Sequence, residues 1–385
     1  FNVCGWGERM EFFKPGVTYD FFKYRWPFII TSVGLTILSL ASLFWPGPRF
    51  GIDFKGGTEV ELECKGAVSS SDLREAVLKL GFGSPDVLEV QGFKNRFILR
   101  LEQISSVPKE QVATARAELA KLVGGEGNIT DFSVSPGGDK LMIQVSSETT
   151  SEPIANALRA AGLPVREVMA CGSAPDRRFQ AHLLGIGDKL VQGLKEHLGD
   201  RAPDQPLRVE WVGPKAGAQL RDAAINAILY TVAFVMVYIA FRFDLRFAPG
   251  GVIALAHDAL ITLGIYVALN KEVTLGTIAA ILTVIGFSIN DTIVIYDRIR
   301  ENMTRMRDAT LVQLINVSTS QTLGRSVITS GTGVISVLGF FIWGTPLIRD
   351  IVFALVTGFV IGTYSSIYVA APLTEWMDRR FFRKA

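Results

Sequence analysis

Apolar residues gather into six long runs, about 27–45, 220–241, 250–269, 274–296, 325–343 and 350–371. Each approaches the roughly 20 residues that an α-helix needs to cross a bilayer. The stretch between the first two, 46–219, has a different rhythm, with short alternating segments and amphipathic helical ones broken by Gly, Pro and Asp. The pattern predicts an α-helical membrane protein of six transmembrane helices, carrying one α+β domain between the first and the second.

That α+β stretch repeats itself at a spacing of about 81–83 residues. Residues 70–82 (SSDLREAVLKLGF) resemble residues 151–163 (SEPIANALRAAGL), and both read as an N-capped amphipathic helix closed by Gly. A strand precedes each helix, 59–63 or 141–145. After it come a strand near 87–91 or 165–169, another at 96–101 or 178–183, a helix at 108–123 or 187–198, and a last strand at 129–134 or 207–212. This order is ferredoxin-like. It predicts tandem modules, 58–134 and 140–212, with 135–139 (SPGGD) as the linker between them.

Composition agrees with a membrane chain. Of 385 residues 49% are hydrophobic and 20% charged, against about 25% charged in a soluble domain. The net charge of +2 gives no ground for a nucleic-acid partner. Lys and Arg cluster at Lys14, Lys23 and Arg25, at Arg242 and Arg246, at Arg298, Arg300, Arg305 and Arg307, and at Arg379, Arg380, Arg383 and Lys384. The positive-inside rule then puts both termini in the cytoplasm and the large domain outside. The expected division is 1–26 cytoplasmic, 27–45 the first span, 46–219 the outer domain, 220–371 a five-helix region and 372–385 a cytoplasmic tail. The first run reads as a retained anchor, because it lies beyond about 25 flanking residues and no signal-cleavage pattern precedes Arg49.

Cys4, Cys64 and Cys171 lack metal-ligand spacing. Cys64 and Cys171 could pair in an oxidising compartment, the alternative being two unpaired thiols. His182 and His197 stand apart, and Glu59, Glu61 and Glu63 alternate as on a solvated strand face. With no Ser/Lys, His-Glu-x-x-His or phosphate-loop motif, the sequence is not expected to be an enzyme or to carry a cofactor or metal.

The candidate chemistry lies inside the apolar runs. Asp291 interrupts the fourth, within 286–296 (GFSINDTIVIY). A carboxylate in hydrocarbon costs several kcal/mol, about 3 on insertion scales, which makes it a functional candidate. Arg325 opens the fifth run. An antiparallel hairpin brings the two to similar depth, Asp291 about 9 Å from the inner end of its helix, and they are expected to pair. Pairing holds Asp291 ionised, and separation in a drier setting favours proton uptake. A passive salt-bridge lock is the alternative. Asp258, beside His257 in the third run, is a second relay candidate or a structural hydrogen-bonding group. Asn290, Ser288, Thr292, Thr329 and Ser330 are placed to hold water or cross-link helices. Gly331, Gly333, Gly358 and Gly362 allow close helix approach. The proton pathway is read as Asp291, Arg325, Asp258 and Asn290.

Five segments carry a family resemblance: 51–58 (GIDFKGGT), 212–217 (VGPKAG) with 220–224 (LRDAA), 257–264 (HDALITLG), 287–302 (FSINDTIVIYDRIREN) and 324–330 (GRSVITS). In this order they resemble the SecF family of bacterial protein export. The resemblance implies half of a resistance-nodulation-division (RND) type bundle, the other half supplied by SecD. It implies work beside the SecYEG channel and YajC, in the lipid of the bacterial inner membrane with the large domain periplasmic. There the proton-motive force would draw preproteins outward. It places the acid of the fourth-span motif, Asp291, and the arginine of the fifth, Arg325, in the proton path. The family's outer domain is usually one ferredoxin-like unit, whereas two are read here. Half of an RND-type exporter of small molecules or lipids is the alternative.

Overall fold

Nineteen of the first helix's twenty residues carry no charge, and the one that does, Arg25, stands at its start: α1 spans Arg25–Phe44, with Pro27 in the first turn, where its missing N–H leaves no bond unmade. The structure is a computed structural model describing residues 17–83, 85–90, 92–102, 107–135, 137–171, 177–243 and 246–382. Cys4, Lys14, Arg383 and Lys384 lie outside the described residues. A two-residue strand, β1 (Arg49–Phe50), follows α1.

Residues 51–221 form one of two compact units. In chain order it contains α2 (Ile52–Lys55), β2 (Gly57–Glu63), α3 (Ser70–Lys79), β3 (Asp86–Glu89), β4 (Arg96–Leu101), α4 (Lys109–Val123), β5 (Ile129–Val134), β6 (Lys140–Val145), α5 (Ser151–Ala160), β7 (Val165–Cys171), β8 (Arg178–Leu183), α6 (Ile186–Leu198) and β9 (Pro206–Val212). The expected helix start before α3 is a capping box. Ser69 Oγ accepts from Asp72 N at 3.1 Å, and Asp72 accepts from Ser69 N at 3.3 Å.

The strands lie where the sequence pattern puts them, but the modules do not divide as tandem copies. One sheet runs β3-β4-β2-β9 and the other β5-β6-β8-β7, every pairing antiparallel. The closing strands are exchanged: β5 pairs with β6, and β9 crosses back to β2. The helices follow their strands. Leu190 and Leu194 of α6 pack with Leu73 of α3 over Val60, Leu62 and Leu99. Leu119 of α4 packs with Leu158 of α5 over Leu141, Ile143 and Phe179. The segment from α4 to β8 is thus a whole module inserted between β4 and α6 of the other, and the expected boundaries 58–134 and 140–212 cut across both. The supposed linker explains why. Ser135 N donates to Lys140 O at 2.8 Å and Ser135 Oγ to Asp139 Oδ1 at 2.6 Å, so the chain turns straight back on itself. A tight turn makes neighbours of the strands it joins.

The glutamates of β2 meet cross-strand arginines. Glu61 pairs with Arg96 at 3.0 Å, and Glu59 with Arg100 at 2.8 Å and Arg208 at 3.9 Å. Cys64 and Cys171 are both free. Burial of Cys64 pushes its thiol up to about 11.

The second unit takes in residues 17–50 and 222–382 of those described. Its helices are α7 (Pro214–Arg242, which begins in the first unit), α8 (Ala248–Ala268), α9 (Leu275–Arg305), α10 (Leu311–Trp343), α11 (Pro346–Ser365) and α12 (Ala371–Met377), the last two joined by a π-helical turn at Ser366–Ala370. β10 (Glu272–Val273) pairs in parallel with β1. Six of these helical spans are long and apolar enough to cross a membrane, α11 and α12 together making the sixth. Half of the apolar windows of α8 and α9 is buried, whereas α1, α7 and α10 leave most of theirs exposed. Small residues set the spacing. A Cβ on Gly358 of α11 would come within 2.1 Å of Val284 on α9. One on Gly264 of α8 would come within 2.2 Å of Ser39 on α1.

Candidate functional site

Both intramembrane acids are buried and face the interior of the bundle, Asp258 at 0% and Asp291 at 2% exposure. Burying a carboxylate requires partners for its oxygens, and here hydroxyls supply them. Asp291, on α9, lies opposite Ser330 of α10, whose Oγ is 3.4 Å from Asp291 Oδ2. Ser330 Oγ also lies 2.5 Å from Thr363 Oγ1 of α11, and Thr363 donates to Phe359 O at 2.9 Å. Three helices thus meet around one acid.

Asp258, on α8, is held more fully. Its Oδ2 accepts from Ser288 Oγ of α9 at 2.5 Å and Ser365 Oγ of α11 at 2.6 Å. Its Oδ1 lies 2.9 Å from His257 Nδ1. His257 Nε2 reaches Ser32 Oγ of α1 at 3.1 Å. Four helices therefore share this second cluster.

The other two expected residues point elsewhere. Arg325 is exposed on α10, and no ion pair joins it to Asp291 among the described residues, although it lies within electrostatic reach. Asn290 is exposed as well. One residue along a helix is about 100° of rotation, so Asn290 faces away while Asp291 faces in. The expected direct pairing of Asp291 with Arg325 is replaced by the Ser330–Thr363 hydroxyl pair. Depth along a hairpin is legible in sequence. Which way each helix turns its residue is settled by packing.

Of the polar residues expected to cross-link helices, Ser288 and Ser330 do so, and Thr292 bonds back to Ser288 O at 3.3 Å. Ser32, Thr363, Tyr364 and Ser365 were missed. For Ser32 a signal existed: Ser32, Ser39 and Ser42 recur on one face of α1 and are buried in a helix otherwise largely exposed. The site brings hydroxyls, carboxylates and one imidazole together inside an otherwise apolar bundle.

Comparison with known proteins bears on this arrangement. Residues 195–380 match the family described as "Protein export membrane protein SecD/SecF, C-terminal", and residues 41–68 match the "SecD/SecF GG Motif". The protein translocase subunit SecF of Koribacter versatilis is 33% identical, the match covering 96% of this chain and 95% of that protein. The SecF of Magnetococcus marinus is 34% identical over 97% of both. The crystal structure of SecDF from Thermus thermophilus superposes with a TM-score of 0.65 at 27% identity, covering 95% of this chain. This chain spans 39% of the length of that SecDF chain.

Proposed function

The chain belongs to the SecF family of protein translocase subunits, acting with SecD in Sec protein export, and from that premise we propose that Asp291 is the site through which a proton gradient drives its step. The observation that carries this reading is a single one: an acid buried at 2% exposure mid-span, held by hydroxyls and by no ion pair among the described residues. Such an acid is neutral when it carries a proton and strongly disfavoured when it does not, so each packing of the helices around it prefers one protonation state. A charge crossing the membrane potential delivers about 2.3 kcal/mol per 100 mV. That is enough to shift a two-state packing equilibrium by more than tenfold.

Arg325 and Asn290 complete the pathway from the outside of this bundle. An exposed arginine on a membrane helix is costly against lipid, and Gly286, one turn before Asn290 on α9, also faces open space. These outward groups suit a second six-helix half, supplied by SecD, with Arg325 set to approach Asp291 as the halves shift. SecYEG and YajC are the neighbours in the inner membrane, and the periplasmic preprotein is the load moved by the outer domain. Both termini lie in the cytoplasm, and no cofactor is needed beyond the gradient.

The test is export by inner-membrane vesicles with and without a proton gradient. Asp291→Asn should abolish the gradient-dependent part and leave the rest. Normal gradient-dependent export in that variant would remove the proposal. A passive lock predicts that exchanging the charges, Asp291→Arg with Arg325→Asp, restores function, and the proton reading predicts that it does not.

A further inference from the structure

A backbone carbonyl fixes the proton positions of the second buried cluster. Tyr364 OH lies 2.5 Å from Phe28 O. A carbonyl can only accept, so Tyr364 donates its single proton there. Ser32 Oγ, 3.1 Å from Tyr364 OH, must then be the donor in that contact. With the Ser32 proton committed, the contact of Ser32 Oγ with His257 Nε2 requires Nε2 to carry the hydrogen. On the other side, Asp258 Oδ2 is already satisfied by two serine hydroxyls. What remains is His257 Nδ1 facing Asp258 Oδ1 at 2.9 Å. A bare nitrogen and a bare carboxylate oxygen would meet lone pair to lone pair. One proton must lie between them.

We infer that His257 and Asp258 form a second proton-holding site, distinct from Asp291, whose occupancy is read by α1 through Ser32. The inference rests on the proton-driven reading above for its purpose, but not for its geometry. The exchange balances simply. When the pair gives up its shared proton, His257 can still satisfy Asp258 by carrying its one remaining hydrogen on Nδ1. Nε2 then becomes an acceptor, Ser32 turns its hydroxyl from Tyr364 to Nε2, and the Ser32–Tyr364 bond is lost while Tyr364 still donates to Phe28 O of α1. Loaded and unloaded pairs therefore correspond to two discrete hydrogen-bond patterns. α1 is also the helix from which the chain passes, through β1, into residues 51–221.

The surroundings leave few competing titrations. α1 contributes Ser32, α9 contributes Ser288, and α11 contributes Ser365 and Tyr364, the last committed to Phe28 O. The turn at Ser366–Ala370 brings Tyr368, stacked on Phe28 at 3.9 Å, and α12 brings Glu375, paired with Arg25 at 3.8 Å. Asp291 belongs to the Ser330–Thr363 group.

The chain has three histidines, so solid-state NMR of the full protein in lipid, labelled with nitrogen-15 at histidine, resolves the matter. His257→Gln identifies the His257 signals, and His182 and His197 report that each variant has folded. The wild type is expected to show a protonated Nε2 at neutral pH, and Tyr364→Phe a bare Nε2 with one hydrogen on Nδ1, the pair having released one proton to solvent, because Ser32 is then free to donate to Nε2. A wild-type His257 with bare Nε2, or a Tyr364→Phe spectrum unchanged at His257, overturns the inference. Asp291→Asn should leave these signals in place. Failure of the proton-driven reading would appear in the export assay instead, so the two outcomes separate.

Discussion

Ser330 Oγ stands between two acceptors, Asp291 Oδ2 at 3.4 Å and Thr363 Oγ1 at 2.5 Å. Thr363 has Phe359 O as a second partner, so Ser330 Oγ couples the acid of α9 to α11. A protonated Asp291 can donate to Ser330 and complete the chain. The hydroxyl therefore ties the protonation of Asp291 to the packing of α10 and α11 around it. Ser330→Ala should reduce gradient-dependent export about fivefold, the factor that corresponds to a net hydrogen bond of about 1 kcal/mol. Export in the absence of a gradient should be unchanged. Vesicle export with and without a proton ionophore measures both.

Gly358 lies so close to Val284 that α9 and α11 can touch there only while one position lacks a side chain. Gly358→Ala should destabilise the bundle by about 1–3 kcal/mol, the usual range for overpacking. Val284→Ala removes the two γ-methyls that the new methyl would strike at 2.1 and 2.6 Å, leaving only its Cβ at 2.9 Å. The double variant should therefore recover most of the loss, and the two changes should be far from additive. Thermal aggregation of the full chain in detergent reads this out. Equal, additive losses would show that the two helices can separate freely.

Secondary structure was legible because it is local. Six apolar runs, the cap at Ser69 and the alternation of 141–145 each announce an element within a dozen residues. Strand partnership is not local. Val209 on β9 and Phe132 on β5 carry similar apolar patterns, and nothing in either says which sheet it will join. The decision lies in 135–139, where a tight turn holds β5 beside β6. The same limit applies in the membrane. Spacing placed Asp291 and Arg325 at one depth, but packing turned one inward and the other outward. Hydroxyls such as Thr363 and Ser365 looked like ordinary helix residues until α11 was set against α9 and α10.

The strand exchange has a direct chemical signature. Glu61 is registered against Arg208, and Asp131 against Gln144. Paired residues on antiparallel strands have Cα atoms about 4.5–5.5 Å apart, within the range a disulfide accepts. In a background lacking the native cysteines, Glu61→Cys with Arg208→Cys should cross-link on mild oxidation, as should Asp131→Cys with Gln144→Cys. Glu61→Cys with Asp131→Cys should not, although a tandem arrangement would place 129–134 beside 59–63. Mobility on non-reducing gels decides between the two.

Cys64 offers a test of the unit formed by residues 51–221 that needs no new residue. It is 4% exposed at the end of β2, within the core that includes Leu73 and Leu198. Burial disfavours the thiolate and raises the thiol from 9.0 to about 11. The thiolate is the form that attacks alkylating reagents, so at pH 8 Cys64 should react only when the domain opens, while half-buried Cys171 reacts first. The sign for stability follows from the same shift. Below pH 9 both folded and unfolded chains hold the Cys64 proton, and the group contributes no pH dependence. Between about 9 and 11 the unfolded chain loses it and the folded chain keeps it, so folding should weaken as pH rises through that window. Cys64→Ala should remove this part of the alkaline slope. Urea unfolding of the full chain in detergent at pH 8 and pH 10, followed by Cys64 labelling, measures it, and equal labelling of Cys64 and Cys171 in the native protein at pH 8 would contradict the burial.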